Sequence, residues 1–449
     1  MSDETNPPIE SEEQLTEFIR GGEKPPEEWK VGTEHEKIGL LAESYLPVPY
    51  EGERGIASIL EAMASEDGWT RIYEGENLIA LAKDGASITL EPGGQLELSG
   101  APLRTIHETC SEFHGHLELV RNVSGPRGVV WLSLGINPLH DVADIPRMPK
   151  ARYRIMREYL PTRAELPLHM MHLTATVQAN LDFADEEDMV RKLRTSLGVS
   201  SIVSAIFANS SIAGGKASGF VSRRVHIWRH TDPDRCGLLP FVFEEDFGYE
   251  RYVEWALDVP LFFIVRDGSY LPASGTTFRE FMQRGLDGHR AALDDWNLHL
   301  TTLFPEVRLK RVIEVRGTDA VPAGLICALP ALWKGLLYDS EARAGAWDLV
   351  RGHTAEERLA GLEDVARRGL GAELAGRPVL ELAKELVELS SEGLRRIRHA
   401  GRRDPDERGY LDAIRSQLEA GRSPGEEILD RWEGTWGRSV PRLIEYARY

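Results

Sequence analysis

Between Val31 and Leu40 the chain alternates. In VGTEHEKIGL the even positions hold Glu34, Glu36, Ile38 and Leu40. They share one face of a β-strand, because strand side chains switch sides at every residue. Two carboxylates are thus aligned with two residues that belong in a core. Three further segments carry polar groups in the same way. ASITLEPGGQLELSG (residues 86–100) predicts two strands about a Pro-Gly-Gly turn. Glu91, Gln95 and Glu97 occupy one side of it, Leu96 and Leu98 the other. HLTATVQANLDF predicts a strand whose even positions are Thr174, Thr176, Gln178 and Asn180. VRLKRVIEVRG predicts a strand presenting Arg308, Lys310, Val312, Glu314 and Arg316 opposite Leu309, Ile313 and Val315. GVVWLSLGINP and VPLFFIVRDG add two mostly apolar strands.

Helical spacing interleaves with these strands. Leu103, Ile106, Cys110, Phe113, Leu117 and Val120 recur at steps of three and four, one stripe of a helix. SEEQLTEFIRGG predicts a short helix capped by Ser11 and ended at Gly21. GIASILEAMASEDG predicts a short amphipathic helix, and DEEDMVRKLRTSLGVSSIVSAIFANSS a long one with many small residues. From about residue 340 strands give way to four charged-faced helical segments; Val379, Leu382, Leu386 and Leu389 form one apolar stripe, and Ser423-Pro424 marks a helix start. Residues 1–10 carry no such pattern and are expected to be disordered. The expected fold class is α+β, antiparallel strands with helices. Three regions are expected: an extension with a short helix over 1–29, a catalytic domain over 30–340, and a helical C-terminal region over 341–449 packed on it.

Composition narrows the function. The 449 residues are 42% hydrophobic and 28% charged, as in a soluble globular protein with a sizeable core. The net charge of −19 argues against nucleic acid or an anionic membrane as partner. No stretch is apolar for long enough to span a bilayer. Anionic substrates would need a local cluster of cations or a bound metal. Three cysteines, Cys110, Cys236 and Cys327, make no disulfide framework and fit a reducing compartment. The opening MSDETNPPIESEEQ is acidic and has no apolar run, so it reads as neither signal nor transit peptide. A cytoplasmic protein is expected.

Carboxylates on an inward face must be protonated, ion-paired or bound to metal. An oxygen-rich set suits Mg²⁺ or Mn²⁺ rather than zinc. The Arg316 guanidinium beside Glu314 suits a phosphate oxygen. Together these predict nucleotide phosphates held through metal, without a phosphate-cradling loop. The competing reading is a half-exposed sheet with its acids in solvent. AGGKAS (residues 213–218) lacks the first glycine and the Ser/Thr after lysine of a P-loop, and reads as a flexible loop. His107, Cys110 and His114 lie on adjacent helical turns and raise the question of zinc. Cys110 belongs to the apolar stripe, which favours plain packing.

GTEHEKIGL, LEPGGQLELSG, RYRIMREYLP, TVQANLDF, FPEVRLKRVIEVRGTD and PALWKGLLYD follow in order between about residues 30 and 340. They resemble the plant-type glutamate–cysteine ligases. The resemblance implies a glutamine synthetase-like fold, a curved antiparallel β-sheet funnel surrounded by helices. It implies ATP-dependent joining of the L-glutamate γ-carboxylate to the L-cysteine amine through a γ-glutamyl phosphate, the first step of glutathione biosynthesis. It also implies Glu34, Glu36, Glu91, Glu97, Gln178 and Glu314 as ligands of Mg²⁺ or Mn²⁺. Arg316 would be catalytic and, with Arg308 and Lys310, would bind ATP. Arg152 and Arg224 match glutamate-binding arginines, and Phe262 and Trp333 fall near the cysteine pocket. The implied partners are glutamate, cysteine and ATP, for a monomer or homodimer. Phe262 stands where the plant enzymes carry Tyr, which leaves a same-fold ligase with another amine acceptor in view. A guanidine phosphotransferase and a binding protein without turnover are rivals from other classes.

Overall fold

The computed structural model describes residues 7–273, 275–399 and 406–449. Nine strands build one sheet: β1 Val31–Leu41, β2 Thr70–Glu74, β3 Asn77–Lys83, β4 Ala86–Leu90, β5 Leu96–Ser99, β6 Val129–Leu132, β7 Val177–Leu181, and two short strands, Val307–Leu309 and Ile313–Val315. Every pairing in it is antiparallel. β1 is the hub. Its first half lies between β5 and β7, and from Ile38 onward it pairs with β6. The Ile313–Val315 strand continues the sheet beyond β7.

Two expected strands are shorter than their patterns suggest. In HLTATVQANLDF the helix Pro167–Leu173, started by a proline that needs no backbone N–H there, runs into the segment, and β7 begins only at Val177. VRLKRVIEVRG is a hairpin, not one strand: Lys310 N donates to Val312 O, and the chain folds back. Arg308 then sits directly opposite Glu314. On one straight strand those two charges would be roughly 20 Å apart, so the turn converts a sequence separation into an ion pair.

The helices behave as their stripes predict. Ile106–Ser124 carries a capping box between Thr105 and Glu108 and buries Ile106, Phe113, Leu117 and Val120. Glu13–Arg20 starts one residue later than its sequence signal, and Gln14 Oε1 takes the backbone N–H groups of Glu10 and Ser11. Residues 1–6 of the expected disordered stretch lie outside the described residues. Ile9 is not loose: it is buried, and its N–H donates to Ala291 O.

After residue 340 the helices Ser340–Val350, Ala355–Arg368 and Val379–His399 share a core with the long Glu186–Ile206 helix and β7. Gly335 of the helix Ala328–Leu337 and Gly393 of Val379–His399 let those two helices touch backbone to backbone. A Cβ on Gly393 would lie 2.0 Å from Gly335 O, and one on Gly335 would lie 2.3 Å from Ser390 O. A last helix, Val440–Ala447, carries no place in the sequence reading. It delivers Tyr449 beneath β1, where the hydroxyl donates to Val321 O at 2.7 Å and lies 2.8 Å from His35 Nε2.

Cys110 and Cys327 form a disulfide, with Cα atoms 5.6 Å apart across 217 residues. This corrects the expectation that the three cysteines make no disulfide framework. Linear spacing carried no hint that the Ile106–Ser124 helix meets the end of the Ala323–Ile326 helix. Cys236 is free. Among the described residues no helix is long and apolar enough to cross a membrane.

Candidate active site

Strand pairing assembles the acids. Glu36 lies opposite Glu97 of β5, and Glu34 lies between Ser99 of β5 and Gln178 of β7. Alternation therefore turns Glu34, Glu36, Glu97 and Gln178 to one face. Glu91 enters from the β4–β5 turn, which Gly94, at φ 79°, closes through its N–H to Glu91 O. All five line one cavity of about 310 Å³. Facing them on its wall are Arg152, Arg224, Arg308 and Arg316, with Trp228, Phe263 and Phe304 between.

The acids are crowded and half-buried, opening onto the cavity. Burial, with the Glu314 and Glu97 carboxylates adding repulsion, pushes Glu34 up to about 7. Glu36 stands well above the usual carboxylate range, first from burial, then from Glu97 and Glu91. Glu97 is raised by burial and by Glu91. A few donors hold them in place. Asn180 Nδ2 donates to Glu34 at 3.1 Å, Thr176 N to Glu36 at 3.0 Å, and Ser99 Oγ to Glu97 at 2.5 Å. These do not neutralise three carboxylates, so the cluster is built for an added positive charge.

The cations are fixed by their own scaffolds. Ser222 caps the helix Arg223–Arg229, and Asp319 accepts from Ser222 Oγ, Ser210 Oγ and Asn209 N. That network anchors the first turn bearing Arg224, whose Nη2 donates to Arg316 O at 3.0 Å. Arg316 donates from Nη1 to Gln178 Oε1 at 2.9 Å and to Glu314. Arg152 reaches the Tyr153 hydroxyl, which in turn donates to Leu90 O and contacts Glu91. Charges of both signs thus meet across a few ångströms of cavity.

Four sequence-predicted residues are placed elsewhere. Glu314 is fully buried and is not on the cavity wall. Burial opposes its charge, yet Arg308, Lys310 and Arg316 hold it well below the usual carboxylate range. Its oxygens are taken by the two arginines and by Lys310 Nζ at 3.0 Å. Lys310 points to that pair and not into the cavity. Phe262 is 1% exposed and packs in the core under the Arg235 guanidinium, 3.9 Å from its ring centre; its neighbour Phe263 lines the cavity instead. Phe262 immediately precedes the strand Phe263–Arg266, and neighbouring residues of extended chain face opposite ways, which accounts for the difference. Trp333 is 2% exposed on the Ala328–Leu337 helix, behind Ser204 and Glu306 and away from the cavity. Trp228 was not singled out from the sequence. It sits four residues after Arg224 on one helix, a spacing that puts both on one face. AGGKAS forms a two-stranded turn with Gly214 and Gly215 at positive φ.

A family model described as glutamate-cysteine ligase family 2 matches residues 30–444. The chain belongs to this family. It is 44% identical over 456 residues to chloroplastic glutamate–cysteine ligase B of Oryza sativa subsp. japonica, covering 99% of this chain and 90% of that one. It is 43% identical to the chloroplastic enzyme of Nicotiana tabacum, over 98% of this chain and 83% of that protein. The enzyme of Arabidopsis thaliana, also chloroplastic, is 42% identical over 97% and 83%. The fold is similar to that of glutamate–cysteine ligase from Francisella tularensis in complex with AMP, with a TM-score of 0.56 at 13% identity over 93% of this chain and 86% of that one. A bifunctional glutathione synthetase from Pasteurella multocida gives 0.54 at 12% identity, over 97% of this chain and 53% of that one. The expectation of a cytoplasmic protein is overturned by these relatives, which are chloroplastic enzymes.

Proposed function

We infer that the cavity joins L-glutamate to L-cysteine at the expense of ATP, as a glutamate–cysteine ligase. The observation that carries this reading is the acid-facing-arginine cavity, in a chain 44% identical to such a ligase over nearly its whole length. The γ-carboxylate of glutamate attacks the γ-phosphate of ATP, giving γ-glutamyl phosphate and ADP. The amine of cysteine then attacks the acyl carbon, the amide forms, and phosphate leaves. Both partners of the first step are anions. Arg224 and Arg152 suit the carboxylates of glutamate, and Arg316 suits the phosphoryl group in flight, because a guanidinium matches planar and tetrahedral oxyanions with paired N–H donors. No covalent nucleophile from the protein is required; positioning and electrostatics suffice.

The donor set suits Mg²⁺ or Mn²⁺. Its atoms are hard oxygens, and three of its carboxyls are already pushed up by burial and mutual repulsion. Among the described residues no three of these carboxylates bring ligand atoms within 4.8 Å of one another. Three direct bonds to one ion would need a closer approach, so Mg²⁺ here would take at most two of these carboxylates directly and fill its shell with water and phosphate oxygens. Glu34, Glu36, Glu91, Glu97 and Gln178 would supply the ligands, no more than two carboxylates to any one ion, and bound metal would screen the repulsion between carboxylate and triphosphate. Glu314 serves instead as the counter-charge that orients Arg308 and Arg316.

The test is an ADP-release assay in which ATP, glutamate, cysteine and Mg²⁺ are omitted in turn. Release should need all four. Equal release with unrelated amines, or a stable phosphorylated product without an amide, would overturn the assignment.

A further inference from the structure

We propose that Cys110, Cys327 and His114, with their disulfide reduced, form a binding site for a thiophilic divalent cation such as zinc. One ligand atom from each lies within 4.8 Å of the others, and they are the only three His, Cys or acidic side chains among the described residues to converge so closely. Cys110 and His114 are four residues apart on the Ile106–Ser124 helix and therefore share a face. Cys110 Sγ is 3.5 Å from His114 Nδ1. Two such atoms bound to one tetrahedral zinc, with bonds of about 2.3 Å and 2.0 Å, stand roughly 3.5 Å apart. Cys327 enters from the junction of the Ala323–Ile326 and Ala328–Leu337 helices. The third member that the helix pattern suggested, His107, is engaged elsewhere, its Nδ1 2.8 Å from the Tyr410 hydroxyl.

Burial gives the site its character. Cys110 is 9% exposed and Cys327 5%, while His114 is exposed. A cation would arrive from the His114 side and keep water as its fourth ligand. Two thiolates and an imidazole select a borderline-soft ion, whereas the oxygens of the cavity select a hard one. His114 gives up only the contact from Nδ1 to Cys110 O.

The chemistry balances as thiol–disulfide exchange followed by ligation. Two equivalents of a small thiol reduce the Cys110–Cys327 bond, leaving two protein thiols and one small-molecule disulfide. The cation then displaces two thiol protons to solvent, and the Sγ atoms separate to roughly 3.8 Å around it. The disulfide and the metal-bound form exclude each other, since both need the same two sulfurs.

Cobalt(II) tests this on the full chain. Protein reduced with a phosphine should take up one thiolate-bound Co²⁺, seen as a sulfur-to-cobalt charge-transfer band with tetrahedral d–d bands, and one equivalent of Zn²⁺ should erase both. Disulfide-linked protein should show neither. Cys110→Ser and Cys327→Ser should each abolish the charge-transfer signal or at least halve it, while Cys236→Ser should keep it. His114→Ala should weaken Co²⁺ binding at least tenfold with the free-thiol count unchanged. His114 is exposed, so this variant tests the site without burdening the fold. No charge-transfer band in reduced protein, an undiminished band in Cys110→Ser, or wild-type affinity in His114→Ala would each overturn the proposal.

Discussion

Replacing Glu34 by Gln should stabilise the cation-free protein, increasingly as pH rises toward 7. In the folded chain burial and neighbouring carboxylates raise Glu34 from 4.5 to about 7. Each pKa unit corresponds to about 1.4 kcal/mol, so an ionised Glu34 costs roughly 3 kcal/mol of stability. The sign follows from linkage. The folded value lies above the unfolded one, so the folded form holds the proton longer. Below about pH 4.5 both states are protonated and the penalty is absent. It grows as pH rises toward 7 and is fully present above that. Glu34→Gln keeps an oxygen for the Asn180 donor and removes the charge. Urea unfolding with a chelator present, from pH 5 to pH 9, should show the variant gaining on the wild type by a few kcal/mol toward high pH. Added Mg²⁺ should stabilise the wild type more than the variant. A gap that stays flat within about 0.5 kcal/mol across this range would refute the picture of a repelling cluster that awaits a cation.

Four shorter tests follow from other contacts. Glu314→Gln strips the counter-charge from Arg308, Arg316 and Lys310 and should cost about 3–5 kcal/mol in urea unfolding, as for a broken buried ion pair. Arg224→Ala should raise the glutamate KM severalfold and leave the ATP KM near its original value; a defect confined to ATP would reassign the residue. Phe262→Ala should cost about 3–5 kcal/mol and leave substrate KM values unchanged, whereas Phe263→Leu, on the cavity wall, should move them. Tyr449→Phe removes the hydroxyl shared with His35 and Val321 and should lower stability by about 1–3 kcal/mol, measured as a urea midpoint shift.

Much of the site was legible because alternation is a strict code. Once Glu34 and Glu36 fall on one face of β1, the partner strands must offer their own groups to the same space, and Glu97 and Gln178 do so through register. Three things escaped that code. A turn inside a continuous charged run changed VRLKRVIEVRG from a strand to a hairpin, and so Glu314 from an apparent ligand to an ion-pair partner. A one-residue phase error separated Phe262 from Phe263. The meeting of Cys110 and Cys327 depends on contacts between segments 217 residues apart, which no local pattern reports.

The two faces of β1 show why the acidic cage can persist without collapsing the strand. On the cavity face Glu34 and Glu36 repel one another and their neighbours. On the reverse face His35 and Lys37 are buried, and the chain brings its own clamp to them. Tyr449 ties His35 to the Val321 segment, and Phe113 of the Ile106–Ser124 helix packs edge-on against the same imidazole. The strand that carries the repulsion is thus the most heavily tethered in the sheet, hydrogen-bonded to β5, β6 and β7 and fastened from behind. Strain of a functional kind can be stored only where surrounding structure overdetermines the backbone. Loosening the clamp at Tyr449 should therefore do more than destabilise: it should raise the Mg²⁺ concentration needed for half-maximal activity, because carboxylates no longer held in register must be gathered by the ion itself. An unchanged Mg²⁺ requirement in Tyr449→Phe would separate the clamp from the cage.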